Sequence, residues 1–149
     1  MIIYLIITAV MVVADQLFKH WIVANIALGG SKTLIPGVLS LTNIQNDGAA
    51  WSMFSGQQWF FYITTVIALI VVFFLWKDSQ NKPVYRLGLA LILAGALGNF
   101  IDRVHQQYVT DMFQTDFINF PIFNIADMCL TVGVICVGIY IIFLDRSDQ

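Results

Sequence analysis

The chain has 149 residues, of which 59% are hydrophobic and only 11% are charged, and its mean hydropathy is +0.81. This composition excludes an ordinary soluble domain and indicates a protein whose solvent is lipid. Seven basic and nine acidic residues give a net charge of −2, so there is no excess of positive charge with which to bind nucleic acid.

Four apolar stretches approach the roughly 20 residues that cross a bilayer as a helix. They cover residues 2–26, 59–76, 85–101 and 122–144. The first has no Lys or Arg ahead of its apolar run and no cleavage site of small residues, so we interpret it as a retained span rather than a removable signal peptide. The second is uncharged and ends in tryptophans, which are typical of lipid headgroup regions. We therefore predict an all-α integral membrane protein with one domain over residues 1–149.

Small residues and cysteines mark the third and fourth spans. Ala90, Ala94 and Gly98 recur at four-residue spacing, a pattern that lets another helix approach closely; the alternative is an incidental run of small residues. Cys129 and Cys136 lie seven residues apart on one helix, about 10 Å along its axis and beyond disulfide reach. We interpret both cysteines as buried apolar side chains.

The distribution of Lys and Arg predicts the orientation, because short cytoplasmic loops are enriched in these residues. Lys77, Lys82 and Arg86 lie between spans two and three, and Arg146 follows span four. Both termini are therefore expected in the cytoplasm, with the connections 27–58 and 102–121 outside.

The first outer connection contains two predicted elements. Residues 38–46 alternate between apolar and polar side chains, which indicates a strand. Residues 49–57 predict a short interfacial helix whose apolar contacts are Trp51, Met53 and Phe54.

Polar residues concentrate at the outer ends of three spans. They are Asp15 and Lys19 in the first, Asn99, Asp102 and Arg103 in the third, and Asn124 and Asp127 in the first turns of the fourth. Charges in the membrane interior cost several kcal/mol and are tolerated mainly where they are paired or face a functional cavity. Their concentration on one side predicts a site there.

Simpler interpretations exist for each group. Asp15 and Lys19 are spaced as a structural ion pair, and Arg103 is placed to reach headgroups. His20 and His105 lack a third ligand at metal spacing, so we expect neither a metal nor a cofactor. No nucleophile motif is present. Carboxylates remain, and Asp127 with an aspartate of the preceding outer loop, Asp111 or Asp116, forms a candidate acid/base dyad.

Five sequence blocks carry a resemblance to a known family. They are DQLFK at 15–19, NDGAAW at 46–51, GALGNFIDR at 95–103, YVTD at 108–111 and FNIAD at 123–127. In order and spacing these blocks resemble the signature of the bacterial lipoprotein signal peptidases, signal peptidase II. The match spans nearly the whole chain, and five blocks in order make it specific.

The resemblance implies a membrane aspartic protease that cleaves prolipoproteins before their lipid-modified cysteine. It implies Asp111 and Asp127 as the catalytic pair, together with a small extracytoplasmic β-sheet and a short interfacial helix. Supporting or substrate-contacting positions would be Asp15, Lys19, Asn46, Gly48, Asn99, Asp102, Arg103, Asn124 and Ala126. The implied partners are diacylglyceryl-modified prolipoproteins and membrane lipid, the implied location is the bacterial cytoplasmic membrane, and we expect a monomer.

One position departs from the family pattern. Many members have Phe directly after the first catalytic aspartate, whereas here Met112 follows Asp111 and Phe117 follows Asp116. We favour Asp111 because Tyr108 and Val109 precede it as the family pattern requires.

The expected mechanism follows from paired carboxylates. Two carboxyl groups close together cannot both ionise at little cost, so they tend to share a proton. One then activates a water while the other donates a hydrogen bond to the developing oxyanion. Phe113, Phe117, Phe120 and Phe123 would shield the pair, and the small-residue stripe of the third span would receive the substrate's signal helix. A small ion-conducting or transporter subunit and a structural assembly factor are the alternative functions.

Overall fold

The computed structural model describes residues 2–49 and 53–144. The helices are α1 (Ile2–Asn25), α2 (Gln58–Lys77), α3 (Pro83–Gln106) and α4 (Ile125–Ile139), the last continued by a π-helical segment, Tyr140–Leu144. The strands are β1 (Ser31–Ile35), β2 (Leu39–Asn46) and β3 (Val109–Thr115). All four predicted spans are therefore helices, and each is long and apolar enough to cross a membrane.

Two helix boundaries differ from the prediction. The third helix continues to Gln106 and ends where Gln107 adopts a left-handed conformation with φ of 66°. The fourth begins at Ile125 rather than 122, because Asn124 is extended and caps the helix with its side chain. Asn124 is thus the cap of α4 and not a residue of its first turn.

Helix α3 lies at the centre of the bundle. Half of the residues in its apolar stretch are buried, against 11–17% in the other three helices. The large apolar side chains of those three helices are mostly exposed, as expected of helices that face lipid. It packs against α1, α2 and above all α4. The contact with α4 depends on glycine, since a Cβ atom at Gly88 would lie 2.7 Å from the backbone oxygen of Gly133.

The small-residue stripe of α3 is used inside the bundle. Ala90 and Ala94 are buried, and the Ala90 carbonyl accepts a hydrogen bond from Thr8 of α1 at 3.0 Å. A Cβ at Gly98 would lie 2.8 Å from the Asp15 carboxylate. The prediction that this stripe receives a substrate helix is therefore wrong, because α1 and α4 already cover it.

The three strands form one antiparallel sheet in the order β1-β2-β3. The predicted strand over 38–46 is confirmed as β2, which pairs with β1 on one side and β3 on the other. Asp111 lies on β3, opposite Ile44, and not in a loop as expected. The sheet packs on the last turns of α1 through Ile22, Leu41 and Met112. We call this end of the bundle the sheet end.

The predicted interfacial helix falls partly on residues 50–52, which include Trp51 and lie outside the described residues. In the described part, Met53 to Gly56 form a turn, and Phe54 has a positive φ of 58°. Ser55 donates to the Asp47 carboxylate at 2.6 and 2.7 Å, which ties the turn back to the residue that follows β2.

Candidate active site

The polar residues singled out in the sequence meet at the sheet end in one hydrogen-bonded network. Its members are Asp15, Lys19, Asn46, Gly48, Asn99, Asp102, Arg103, Asp111, Asn124, Ala126 and Asp127. Helices α1 and α3, the ends of β2 and β3 and the N-terminus of α4 each contribute side chains. Residues from distant parts of the chain are thereby held within contact of each other.

Asp111 is 3% exposed and both of its carboxylate oxygens accept hydrogen bonds from amides. Asn124 Nδ2 donates to Oδ1 at 2.7 Å, and Asn46 Nδ2 donates to Oδ2 at 2.9 Å. Burial raises the pKa of Asp111 to about 7, since desolvation and the nearby charge of Asp127 outweigh the two amide bonds. This carboxyl group therefore titrates near neutral pH, as an acid/base group requires.

Asp127 lies in the first turn of α4 and is held on both oxygens. Asn99 Nδ2 donates to Oδ1 at 2.7 Å, and the backbone N–H of Asn124 donates to Oδ2 at 3.2 Å. In return the Asp127 N–H donates to Asn124 Oδ1 at 2.9 Å, which completes a capping box. The side chain is oriented by the helix terminus itself.

Two asparagines link the carboxyl groups. Asn124 Nδ2 donates to Asp111 and also to Asn99 Oδ1, the latter at 3.1 Å, while Asn99 donates to Asp127. Both aspartates line the same cavity. The arrangement presents two amide-oriented carboxyl groups to one space.

The cavity has a volume of about 650 Å³ and lies between α2, α3 and α4. Beyond the polar residues its walls are Thr64, Thr65, Ala68, Ala96, Met128, Leu130, Thr131 and Val132. Such a volume is typical of small-molecule and peptide sites. Most of the cavity lining away from the two aspartates is apolar, so the cavity suits a ligand with both a polar and an apolar part.

The four phenylalanines expected to shield the dyad lie in different places relative to the cavity. Phe120 and Phe123 line the cavity. Phe113 stacks on Phe18 of α1, with ring centroids 5.7 Å apart, and Phe117 is 63% exposed. The expectation is wrong for Phe117, which the loop carries outward. Phe113 does not line the cavity but packs against Phe123, with ring centroids 5.5 Å apart, so it covers the pair only through that ring.

The partly buried Arg103 makes its contacts within the protein. One terminal nitrogen donates to the Gly48 carbonyl at 3.0 Å, and the guanidinium lies over the Phe61 ring, 4.2 Å from its centroid. Its Nε is buried and has no hydrogen-bond partner among the described residues. Arg103 also lines the cavity.

Asp116 lies apart from this cavity. Ser40 donates to its Oδ2 at 2.8 Å, and the residue belongs to a separate surface depression formed by residues 114–120 and 122. Of the two loop aspartates considered from the sequence, only Asp111 lies beside the Asp127 cavity.

The polar group of α1 includes one residue that the sequence analysis did not select. Gln16 donates to Asp102 Oδ1 at 2.9 Å and to the Gly98 carbonyl at 3.1 Å. A glutamine beside Asp15 in an apolar helix was the available signal. Lys19 forms the expected ion pair with Asp15 at 2.8 Å and a second one with Asp102 at 2.9 Å.

Comparison with known proteins decides the family. The family model described as Signal peptidase (SPase) II matches residues 7–143. The lipoprotein signal peptidase of Latilactobacillus sakei is 58% identical over 147 residues, which cover 98% of this chain and 97% of that protein. The chain belongs to the signal peptidase II family.

Other relatives agree. The lipoprotein signal peptidase of Lactococcus lactis subsp. lactis is 63% identical over 140 residues, covering 93% of this chain and 92% of the relative. A bacterial membrane enzyme solved by the in meso method at 2.3 Å has a TM-score of 0.91 at 40% identity and covers 98% of this chain and 90% of its own. Signal peptidase II membership makes this chain a multi-pass bacterial membrane protein and an aspartic protease, and it sets aside the transporter and assembly-factor alternatives.

Among residues 2–49 and 53–144 no group of three His, Cys, Asp or Glu side chains could hold a metal ion. His20 instead lies 2.7 Å from the Gln16 carbonyl through Nδ1. A signal peptidase II site of this composition offers carboxyl and amide groups for its chemistry.

Proposed function

We propose that the chain removes signal peptides from diacylglyceryl-modified prolipoproteins, with Asp111 and Asp127 as the catalytic pair. The observation that carries the proposal is that the buried Asp111 and the partly buried Asp127 line one cavity and are bridged by Asn99 and Asn124. The scissile bond would be the one before the lipid-modified cysteine.

The proposed reaction is a hydrolysis by an activated water. One carboxylate takes a proton from the water as it attacks the scissile carbonyl. The protonated partner donates a hydrogen bond to the developing oxyanion and then transfers its proton to the leaving amine. Asp111, with a pKa raised to about 7, is suited to hold the shared proton at neutral pH. Which aspartate starts as the base is exchangeable within a coupled pair.

The substrate backbone is proposed to bind beside Asn46, Gly48 and Arg103. Asn46 Oδ1 accepts from the Gly48 N–H at 3.0 Å and Arg103 holds the Gly48 carbonyl, so this stretch is fixed at the cavity rim. The guanidinium of Arg103, which lines the cavity, is proposed as a donor for a substrate carbonyl. Positioning of this kind lowers the barrier because the reacting atoms are held at attack distance.

The remaining predicted residues are proposed to support the pair from behind. Asn99 and Asn124 orient the carboxyl groups, and Asp15, Lys19, Asp102 and Ala126 hold the segments that carry them.

Substrate entry is proposed from the lipid between α2 and α4. Both helices contribute walls to the cavity, and α2 packs mainly on α3. The cavity therefore separates α2 from α4 beside the dyad. Apolar parts of the substrate would pass along this gap while its diacylglyceryl chains stay in lipid.

We propose the cytoplasmic membrane as the location, with both termini in the cytoplasm and the sheet end near the outer face. Lys77 at the end of α2, Lys82 in the connection and Arg86 in the first turn of α3 form a basic cluster at the opposite end of the bundle from the dyad. The site does not require a second copy of the chain, since one chain contributes every residue of the network. We therefore propose a monomer surrounded by lipid.

The decisive experiment uses the purified protein in detergent with two synthetic precursor peptides that differ only in the diacylglyceryl group on cysteine. Mass spectrometry should show cleavage immediately before the modified cysteine and none of the unmodified peptide. Cleavage of neither peptide, or cleavage elsewhere, contradicts the proposal.

A further inference from the structure

Behind the aspartates lies a buried group of three charges, Asp15, Lys19 and Asp102, which we call the support triad. Lys19 Nζ is 2.8 Å from Asp15 and 2.9 Å from Asp102, and the three residues are only 1–5% exposed. None of them lines the cavity. Buried charges of this kind contribute little net stability compared with apolar side chains, so their presence calls for a second role.

Each carboxylate of the support triad binds one segment of the proposed catalytic pair. Asp15 Oδ1 accepts from the backbone N–H of Ala126 at 2.9 Å, and Ala126 immediately precedes Asp127. Asp102 Oδ2 accepts from the backbone N–H of Thr110 at 3.3 Å, and Thr110 immediately precedes Asp111. The start of α4 and the start of β3 are therefore tied to the same ammonium group, each through one carboxylate.

Lys19 also reaches the pair through an amide. Its Nζ donates to Asn99 Oδ1 at 3.1 Å, and Asn99 then directs Nδ2 at Asp127 Oδ1 at 2.7 Å. The opposite amide orientation would place an NH₂ group against the ammonium and an oxygen against the carboxylate, which are two repulsive contacts. Lys19, together with the Asn124 amide that donates to the same oxygen, thus fixes which end of Asn99 faces the acid.

We propose that Lys19 is a positioning residue that sets the separation of Asp111 and Asp127 and so the sharing of their proton. It acts through Asp102 and Thr110 on one side and through Asp15 and Ala126 on the other. This inference rests on the proposed function of the dyad, and goes beyond the structural ion pair that the sequence spacing predicts.

Loss of the support triad should affect kcat and KM differently. Loss of the support triad should lower kcat, since small displacements of reacting groups cost up to about 10²-fold in rate. KM should change little, because the triad lies outside the cavity. When the carboxyl groups move apart, like-charge coupling falls and the two limbs of the pH–rate profile approach each other.

The first test compares two substitutions at one position. Asp102→Asn keeps an oxygen for the Thr110 N–H and for Lys19, whereas Asp102→Ala keeps neither. Both variants lose the oxygen that accepts from Gln16, so their comparison isolates the contacts to Thr110 and Lys19. In both variants Lys19 stays paired with Asp15, so neither leaves an unpaired buried charge. We expect Asp102→Ala to lose kcat by about 10- to 100-fold with a narrowed pH profile, and Asp102→Asn to retain most of kcat and the wild-type profile.

The second test removes Lys19 in a charge-matched comparison. The triple variant Lys19→Gln/Asp15→Asn/Asp102→Asn has no charge in the triad, and its reference is Asp102→Asn, in which the charges of Lys19 and Asp15 cancel. The triple variant should show lower kcat and narrower pH limbs than this reference, with unchanged KM. Thermal unfolding of each variant sets the folded fraction used for kcat; if the triple variant does not fold, the comparison at position 102 decides.

Three outcomes are distinguishable. Equal kcat and equal pH limbs in Asp102→Ala and Asp102→Asn, after correction for folded fraction, overturn the positioning role. A rise in KM with unchanged kcat also overturns it, since that result places the triad in substrate binding. If the wild-type protein itself cleaves no lipidated peptide, the proposed function fails before the variants are compared.

Discussion

Asn124 and Asp127 cap each other across the first turn of α4. The Asp127 N–H donates to Asn124 Oδ1 at 2.9 Å and the Asn124 N–H donates to Asp127 Oδ2 at 3.2 Å. A carboxyl group proposed for catalysis therefore also completes a helix N-terminus, whose partial positive charge favours an ionised side chain. The same two residues serve local structure and chemistry because the helix terminus supplies both orientation and charge.

Substitution of either proposed catalytic aspartate should abolish cleavage. Asp111→Asn and Asp127→Asn keep the side-chain size but cannot exchange a proton, so we expect losses of about 10²- to 10⁴-fold in kcat or more. Cleavage of the lipidated peptide by purified variants measures this. Asp116→Asn is the matched control, since its carboxylate contacts Ser40 outside the cavity, and it should retain full activity. Loss only in Asp116→Asn would reverse the assignment.

Cleavage should follow a bell-shaped dependence on pH. Activity should fall at low pH, where both Asp111 and Asp127 are protonated, and at high pH, where both are ionised. The rate of lipopeptide cleavage, measured across a broad pH range with folding checked at each point, reports the two limbs. A plateau that persists at alkaline pH would show that no protonated partner is needed.

The stability of the protein should depend on the ionisation of Asp111. Its pKa is raised from 3.8 to about 7 in the folded protein, so the folded state retains a proton that the unfolded state releases. The free energy of unfolding should then fall as pH rises from about 4 to about 7, by at most about 4 kcal/mol from this group.

Thermal unfolding in detergent at several pH values between 4 and 8 tests this linkage. Asp111→Asn lacks the titrating group, and its unfolding midpoint should change less with pH than that of the wild type. Equal slopes in the two proteins would contradict the raised pKa of Asp111.

Close packing of α3 on α4 should depend on Gly88. A Cβ there would lie 2.7 Å from the Gly133 oxygen, so Gly88→Ala should destabilise the protein by about 1–3 kcal/mol. Gly138→Ala is the control, because a Cβ at this position of α4 meets nothing within 4 Å. The control should be neutral or stabilising by about 0.5–1 kcal/mol through helix propensity. Thermal midpoints of the two variants in detergent should differ in this order.

The orientation in the membrane can be tested with single cysteines in a background without Cys129 and Cys136. A cysteine replacing Lys32 on β1 should react with a membrane-impermeant thiol reagent applied to intact cells. One replacing Lys82, between α2 and α3, should react only after the cells are opened. The reverse pattern would place the sheet end in the cytoplasm and contradict the proposed orientation.

The four spans, the strand over 38–46 and the polar character of one end were determined by the sequence alone. Each depends on local chemistry: an apolar run of about 20 residues must satisfy its backbone as a helix in lipid, and period-two alternation favours a strand. The family blocks were also readable in the sequence, since they are short and contiguous.

The partners of each polar side chain were decided only by the tertiary structure. Spacing in the sequence pairs Lys19 with Asp15, one turn away, whereas the second ion pair, to Asp102 on α3, depends on how two helices pack. Packing also decides three further features. They are the burial of Ala90 and Ala94 in the bundle, the placement of Asp111 on a strand and the exposure of Phe117. Interactions between residues far apart in the chain are set by packing geometry, which hydrophobic periodicity does not encode.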